Sequence, residues 1–403
     1  MALPSNLPLL DYTLYGSPLL PQSKSSIDLQ LLDFVQFGSP FAANNISAGG
    51  TTTTLTVTSG DFTLAGQSAG INATRRITAT NAEFNVIGQD VGVIATRKVS
   101  AINGAFSLAG QDAGVRATRK VSATNGAFNL AGQDVTITVT GVNKFTLDSG
   151  SFSLTGGDVS IRVIRAITAT NGAYALNGQQ AGVNIARRVS VPSGAFTLTG
   201  TSAAIRAARK ITAESGALNI IGQDANVKTT RKVSATSGDF AVTGASVTIG
   251  RRFTLAVQSG SFSLSGGSVS FPITRRVSAQ NGAFNLGAST ASIKRILNFA
   301  LGAGNYTLSG DSVAIKRSLL ISAGNGTFVF TGNPASVKRQ IVIPVESGSF
   351  SLTGGDLVFY GDIFFKYPTS IELLDDGGLY LKLFDDGKTS LYIADDGTTQ
   401  ANL

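Results

Sequence analysis

The chain has 403 residues, with 32 Lys and Arg against 24 Asp and Glu, a formal charge of +8, 47 Gly, no His and no Cys. Without His or Cys there is no His-based triad, no imidazole or thiolate metal ligand, no thiol nucleophile and no disulfide. Charged residues are 14%, against roughly 25% in ordinary globular chains, and a hydrophobic share of 42% excludes a charge-rich disordered chain.

Residues 1–49 come first. Met1 to Leu10 carries no basic run, and Pro4, Asn6 and Pro8 interrupt its apolar residues, so no secretory leader is expected. No apolar stretch of eighteen residues occurs in the chain, so no membrane span is expected. The segments 10–18 (LDYTLYGSP) and 32–40 (LDFVQFGSP) lie 22 residues apart and resemble each other. They read as two divergent repeats forming an N-terminal cap or docking segment, since terminal repeats are commonly atypical.

Residues 50–354 keep one beat. An aromatic or large apolar residue recurs at Phe62, Phe84, Phe106, Phe128, Phe152, Tyr174, Phe196, Leu218, Phe240, Phe262, Phe284, Tyr306, Phe328 and Phe350. Every step is 22 residues except that from Phe128 to Phe152, which is 24 and carries an insert around residues 142–147. Gly precedes the aromatic by two positions in nearly every unit, as at Gly104 and Gly126, and follows it by four in most, as at Gly110 and Gly132. With the N-terminal pair, about sixteen units run from residue 10 to residue 355.

Within one unit, apolar or small residues alternate at Phe106, Leu108 and Gly110, then at Ala113, Val115 and Ala117, then at Val121 and Ala123. Period-2 alternation means half-buried strands, and nothing in the unit follows a helical period. Asn-Gly or Ser-Gly marks one corner and Gly-Gln-Asp another. Two architectures suit this pattern. The favoured one is all-β: a β-solenoid of about sixteen 22-residue coils, each with three short strands. The alternative is a long antiparallel meander of 22-residue hairpins. The ring column reads as a stacked internal ladder in preference to a sugar-binding platform.

Residues 355–403 change period. Asp-Asp-Gly recurs at 375, 385 and 395 between alternating apolar runs, a strong hairpin signal, so a separate C-terminal β module is expected.

The repeated charge is a basic dipeptide: Arg75-Arg76, Arg97-Lys98, Arg119-Lys120, Arg187-Arg188, Arg209-Lys210, Arg231-Lys232, Arg251-Arg252, Arg275-Arg276, Lys294-Arg295, Lys316-Arg317 and Lys338-Arg339. Stacked coils would align these pairs into a ladder. It either binds an anionic partner or serves as a polar corner that discourages sideways aggregation. Adjacent residues on a strand point to opposite faces, so one member of each pair is expected outside and the other tucked in. A partial Asp column (Asp90, Asp112, Asp134, Asp158, Asp224, Asp311) offers some compensation. The Asp-Asp-Gly carboxylates lack calcium-loop spacing and read as turn chemistry. The four Glu residues (Glu83, Glu214, Glu346, Glu372) share no common setting for a glycosidase pair. No phosphate loop is present. Neither a catalytic residue nor a cofactor or metal ligand is identified.

A long, Gly-punctuated β repeat without Cys, with altered ends, resembles the repetitive fibre, spike and decoration proteins of tailed-phage virions. The resemblance covers nearly the whole chain, is one of style, and carries over no functional residue. It implies a non-enzymatic virion component, a rigid β-rod for assembly or host attachment. Its partners would be further copies of itself, a trimer among the options, and other virion proteins. A polyanionic cell-surface glycan is a further candidate partner, and no specific nucleic acid is expected. The competing expectations are a bacterial surface adhesin, matrix or sheath protein, and a spike that binds or degrades polysaccharide.

Overall fold

The computed structural model describes most residues between Gly60 and Gly354, and outside that span the backbone of short strands from Ile27–Asp28 to Ser390–Ile393. The chain divides into two compact units: Met1–Val189 with Gly194–Thr201, and Ser190–Ser193 with Ser202–Leu403. Each is a stack of parallel coils about 22 residues apart, and together they show about eleven turns of β-solenoid. Parallel pairing between successive coils excludes the antiparallel meander. Among the described residues no helix is long and apolar enough to cross a membrane.

One coil of the first unit illustrates the rest. It has an aromatic strand, Ala105–Ala109, a middle strand, Asp112–Ala117, and a third strand, Lys120–Thr124. Within each unit the aromatic and middle strands of successive coils pair into one parallel sheet, and the third strands into another. Pairing is in register: Phe106 lies between Phe84 and Phe128, and Val121 between Val99 and Phe145. Of the alternating positions read from the sequence, Phe106, Leu108, Ala113, Val115, Ala117, Val121 and Ala123 are buried, and Gly110 is half-buried at a bend. The strand bends between the first two segments at Gly110. A Cβ there would come within 2.7 Å of the Gly88 carbonyl oxygen and 2.9 Å of Val91 Cγ2, so only glycine lets the coils close up.

The rings form the expected ladder. Phe84, Phe106 and Phe128 stack with centroids 4.8 and 4.7 Å apart and planes within 11°. In the second unit Phe240, Phe262, Phe284, Tyr306 and Phe328 stack at 4.6–5.0 Å within 7°. The side chains of Phe62 and Phe350 lie outside the described residues. The two-residue insert disturbs the ladder for a physical reason. It brings Phe145 into the third-strand column where neighbouring coils have Val121 and Ile167. The Phe145 ring meets Phe152 edge-on at 4.6 Å and 85°, and beyond it Tyr174 tilts 47° from Phe152 and 37° from Phe196. The Tyr174 hydroxyl is buried without a hydrogen-bond partner, and burial pushes its ionisation well above the ordinary tyrosine range.

The third strand departs from simple alternation. Val99, Ser100 and Ala101 are all buried, and Thr78 and Ser122 are buried in register with Ser100. The same column holds Ser190, Thr212 and Ser234 in the second unit. These hydroxyl residues are small, and the register places longer side chains beside them on the same strand, as Lys98 and Ile102 flank Ser100.

Near the C-terminus, parallel pairing continues beyond residue 355. Leu357–Tyr360 pairs with Ala335–Lys338, Ile363–Lys366 with Ile341–Pro344, and Ser370–Asp375 with Ser349–Gly354. Antiparallel pairing then joins Ser370–Asp375 to Tyr380–Leu383 across the first Asp-Asp-Gly, as its turn chemistry predicts.

Candidate functional site

The charged columns lie where the middle strand begins and ends. At its start, the Asp112 amide donates to the Gln89 carbonyl and the Asp134 amide to the Gln111 carbonyl, which fixes one carboxylate per coil. Asp90, Asp112, Asp134 and Asp158 are consecutive in the register and all exposed. The basic pairs sit at the corner after the middle strand. The Arg75 carbonyl accepts from the amides of Arg97 and Lys98 at 3.1 and 3.0 Å, and the Arg97 carbonyl accepts from Lys120 at 2.9 Å. The corner is therefore held by its own backbone.

The pairs do not divide one in and one out. Arg75 and Arg76 are both exposed, as are Arg187 and Arg188. Arg97, Arg119 and Arg209 are exposed and their partners Lys98, Lys120 and Lys210 half-buried. In the second unit Arg231, Lys232, Arg276 and Lys294 are exposed. Arg251, Arg252, Arg295, Lys316, Arg317 and Arg339 lie outside the described residues, as do the side chains of Arg275 and Lys338. The alternation fails because the first member belongs to the bend and only the second begins a strand, as Lys98 and Lys120 do. Desolvation of half-buried Lys98, together with the positive charges of Lys120 and Arg76, holds its ammonium below the ordinary lysine range. Stacked like charges thus act on one another in the native coil.

The Asp column does not answer the pairs directly. Asp112 and Arg119 are seven positions apart along an extended strand, about 23 Å, well beyond a Debye length of about 8 Å. Sequence reading passed over two arginines nearer to the acids, Arg116 and Arg162, which share a column with Ile94, Thr138 and Asn184. Outward positions of the middle strand run Asp112, Gly114, Arg116 and, two coils on, Asp158, Ser160, Arg162. Arg116 and Arg162 are exposed. The signal was present as a period-2 reading of the outer face, masked by the more conspicuous pairs.

A shallow groove of about 640 Å³ follows the corner between third and aromatic strands in the first unit, lined by Asn81, Asn103, Asn125, Ser149, the residues after them and Glu83. Among the described residues these four are the non-glycine positions with positive φ, between 53° and 62°. Asparagine tolerates that left-handed backbone better than most residues, which suits Asn81, Asn103 and Asn125 to these corners. Among the described residues no group of three or more acidic side chains is arranged to hold a metal ion. No protein-family model, curated protein or solved structure matches the chain.

Proposed function

We propose that this chain is a non-catalytic structural protein whose exposed charge columns dock it to neighbouring protein surfaces. Within that class we propose a tailed-phage virion component, following the sequence resemblance. The observation that carries the docking reading is the corner ladder, in which most coils hold a basic pair and each described pair has at least one exposed member. At Lys98, burial first and then the charges of Lys120 and Arg76 disfavour the ammonium. A partner's carboxylates would meet the whole column at once, whereas isolated exposed ion pairs contribute only about 0–1 kcal/mol each.

The test replaces Arg187, Arg188, Arg209, Lys210, Arg231, Lys232, Arg251 and Arg252 by Gln. The fold should survive, judged by circular dichroism and protease resistance. Assembly should weaken, and assembly of the parent should weaken as salt rises. Immuno-electron microscopy of purified particles with an antibody against this chain tests the virion assignment. Assembly indifferent to both substitution and salt would reduce the pairs to solubilising corners.

A further inference from the structure

We propose that the outer face of the middle strands in the first unit is self-complementary, and that a second copy of this chain docks on it with its coils running parallel. This deepens the docking reading above by naming a partner, but it rests on the strand face and not on the corner pairs.

The first observation concerns glycines that the coil itself does not require. Gly92, Gly114 and Gly182 stand at the outward centre of their strands, in one register column with Thr136 and Ser160. A methyl group on Gly92 would meet nothing within 4 Å, and on Gly114 or Gly182 nothing nearer than 3.9 Å. Glycine weakens a strand interior, and one use that offsets the loss is close approach by another backbone. The column leaves a flat track of small residues along the face.

The second observation is the charge on either side of that track. Asp90, Asp112, Asp134 and Asp158 border one edge, and the other runs Ile94, Arg116, Thr138, Arg162 and Asn184. Asp112 and Arg116 are four positions apart on one strand, about 13 Å, so neither side chain satisfies the other within the coil. Like charges repeat along the acidic edge at about 4.8 Å per coil.

Symmetry decides how two such faces meet. A two-fold axis along the track exchanges its edges, so Asp112 of one copy lies over Arg116 of the other and Asp158 over Arg162, while Asp134 meets the Thr138 hydroxyl and Asp90 the exposed Ile94. Every coil faces its own counterpart, and the contact is isologous. A two-fold axis across the track lays Asp over Asp and runs the coils antiparallel, which repulsion disfavours. Five coils at about 4.8 Å and a face about 20 Å wide bury about 500 Å² per copy, at the lower end for a specific interface. Association is therefore concentration-dependent and salt-sensitive.

The experiment uses the full chain and sedimentation equilibrium across the micromolar range. The parent should dimerise. Reversing Arg116 and Arg162 to Asp should raise the dissociation constant at least ten-fold, as should reversing Asp112 and Asp158 to Arg. All four changes together should restore it to within a few-fold. Because the natural chain has no Cys, Thr136→Cys and Ser160→Cys, each alone and with all charges intact, report orientation without the reversals. Under a glutathione redox buffer both should form self-disulfides in a parallel pair. A monomeric parent, reversals without effect, a combined variant that stays dissociated, or cross-linking at only one of the two positions would overturn the proposal. None of these results would touch the corner-pair reading.

Discussion

The corner between the third and aromatic strands is built in two ways. Through Ser149 its leading residue is left-handed, and its amide reaches forward: Asn81 donates to Ile102, Asn103 to Thr124 and Asn125 to Asp148. Further along, the amide at the same place in the coil reaches backward: Ser215 donates to Pro192, Ser237 to Glu214 and Asn281 to Gln258. The third strand is five residues in Lys120–Thr124 and four in Ala166–Ala169. Yet Thr124-Asn125-Gly126 and Thr170-Asn171-Gly172 are the same tripeptide. Positive φ occurs at Asn125 and is absent at Asn171. The corner is therefore set by the coil beside it, because its hydrogen-bond partner lies there and not within the tripeptide.

The largest expected effect tests what the two regions share. Phe128 and Phe262 are both fully buried between stacked rings. Phe128→Ala and Phe262→Ala should each cost about 3–5 kcal/mol, with damage confined to nearby coils. Hydrogen exchange of the flanking amides measures both size and spread. A clear inequality would mean that the corner type reaches into the core.

The next effect separates the regions. Asn125→Ala places an alanine at a positive φ that asparagine tolerates better, and should cost about 1 kcal/mol. Asn171→Ala has no such demand and should stay within about 0.5 kcal/mol, as surface changes usually do. Paired urea titrations decide it, and equal costs would erase the distinction drawn from identical tripeptides.

A third effect stabilises. Tyr174→Phe removes a buried hydroxyl that lacks a partner, and should gain on the order of 1 kcal/mol. Burial raises the ionisation of both Tyr174 and Tyr306 above the ordinary 10.0. The native state keeps the proton that the unfolded chain releases, so this contribution is intact below pH 10 and falls as pH climbs past it. Thermal melts at pH 9 and 11 should show a smaller alkaline loss in the Phe variant than in the parent.

The smallest effect is at Lys98. Its depressed ionisation means that the charged form is disfavoured in the native coil. That penalty is full below the depressed value and vanishes as pH rises to the ordinary 10.5. Lys98→Gln should raise the melting temperature slightly at low salt and neutral pH, and the gain should shrink as salt is added. A loss of stability would show that the lysine stem contributes more by packing than its charge costs.

Much of this was legible in the residues. The alternating apolar positions around Phe106 placed the core, and the ring column announced the ladder, because burial imposes period 2 wherever a strand has one wet face. Ser100 and Ser122 escaped that logic, since a small hydroxyl shaded by longer neighbours is buried without being apolar. Corner type was illegible for a different reason: Thr-Asn-Gly carries no record of its neighbouring coil. Arg116 and Arg162 could have been read from their even spacing to Asp112 and Asp158. The continued stacking of Ser370–Asp375 could not, because the Gly and aromatic landmarks stop before the parallel pairing does.

The uniform register has a genetic consequence. Because residue i pairs with residue i+22 through most of the stack, as Val99 pairs with Val121, an in-frame loss or gain of one repeat joins matching columns and leaves every remaining partner in place. Length can then change by recombination between near-identical repeats without passing through an unfoldable intermediate. The 24-residue step between Phe128 and Phe152 is the exception. A crossover that unites its start with the end of an ordinary unit shifts the ladder by two residues and separates Phe145 from the rings that accommodate it. Sequenced lineages should therefore vary in repeat number on either side of that step and conserve the step itself as a unit.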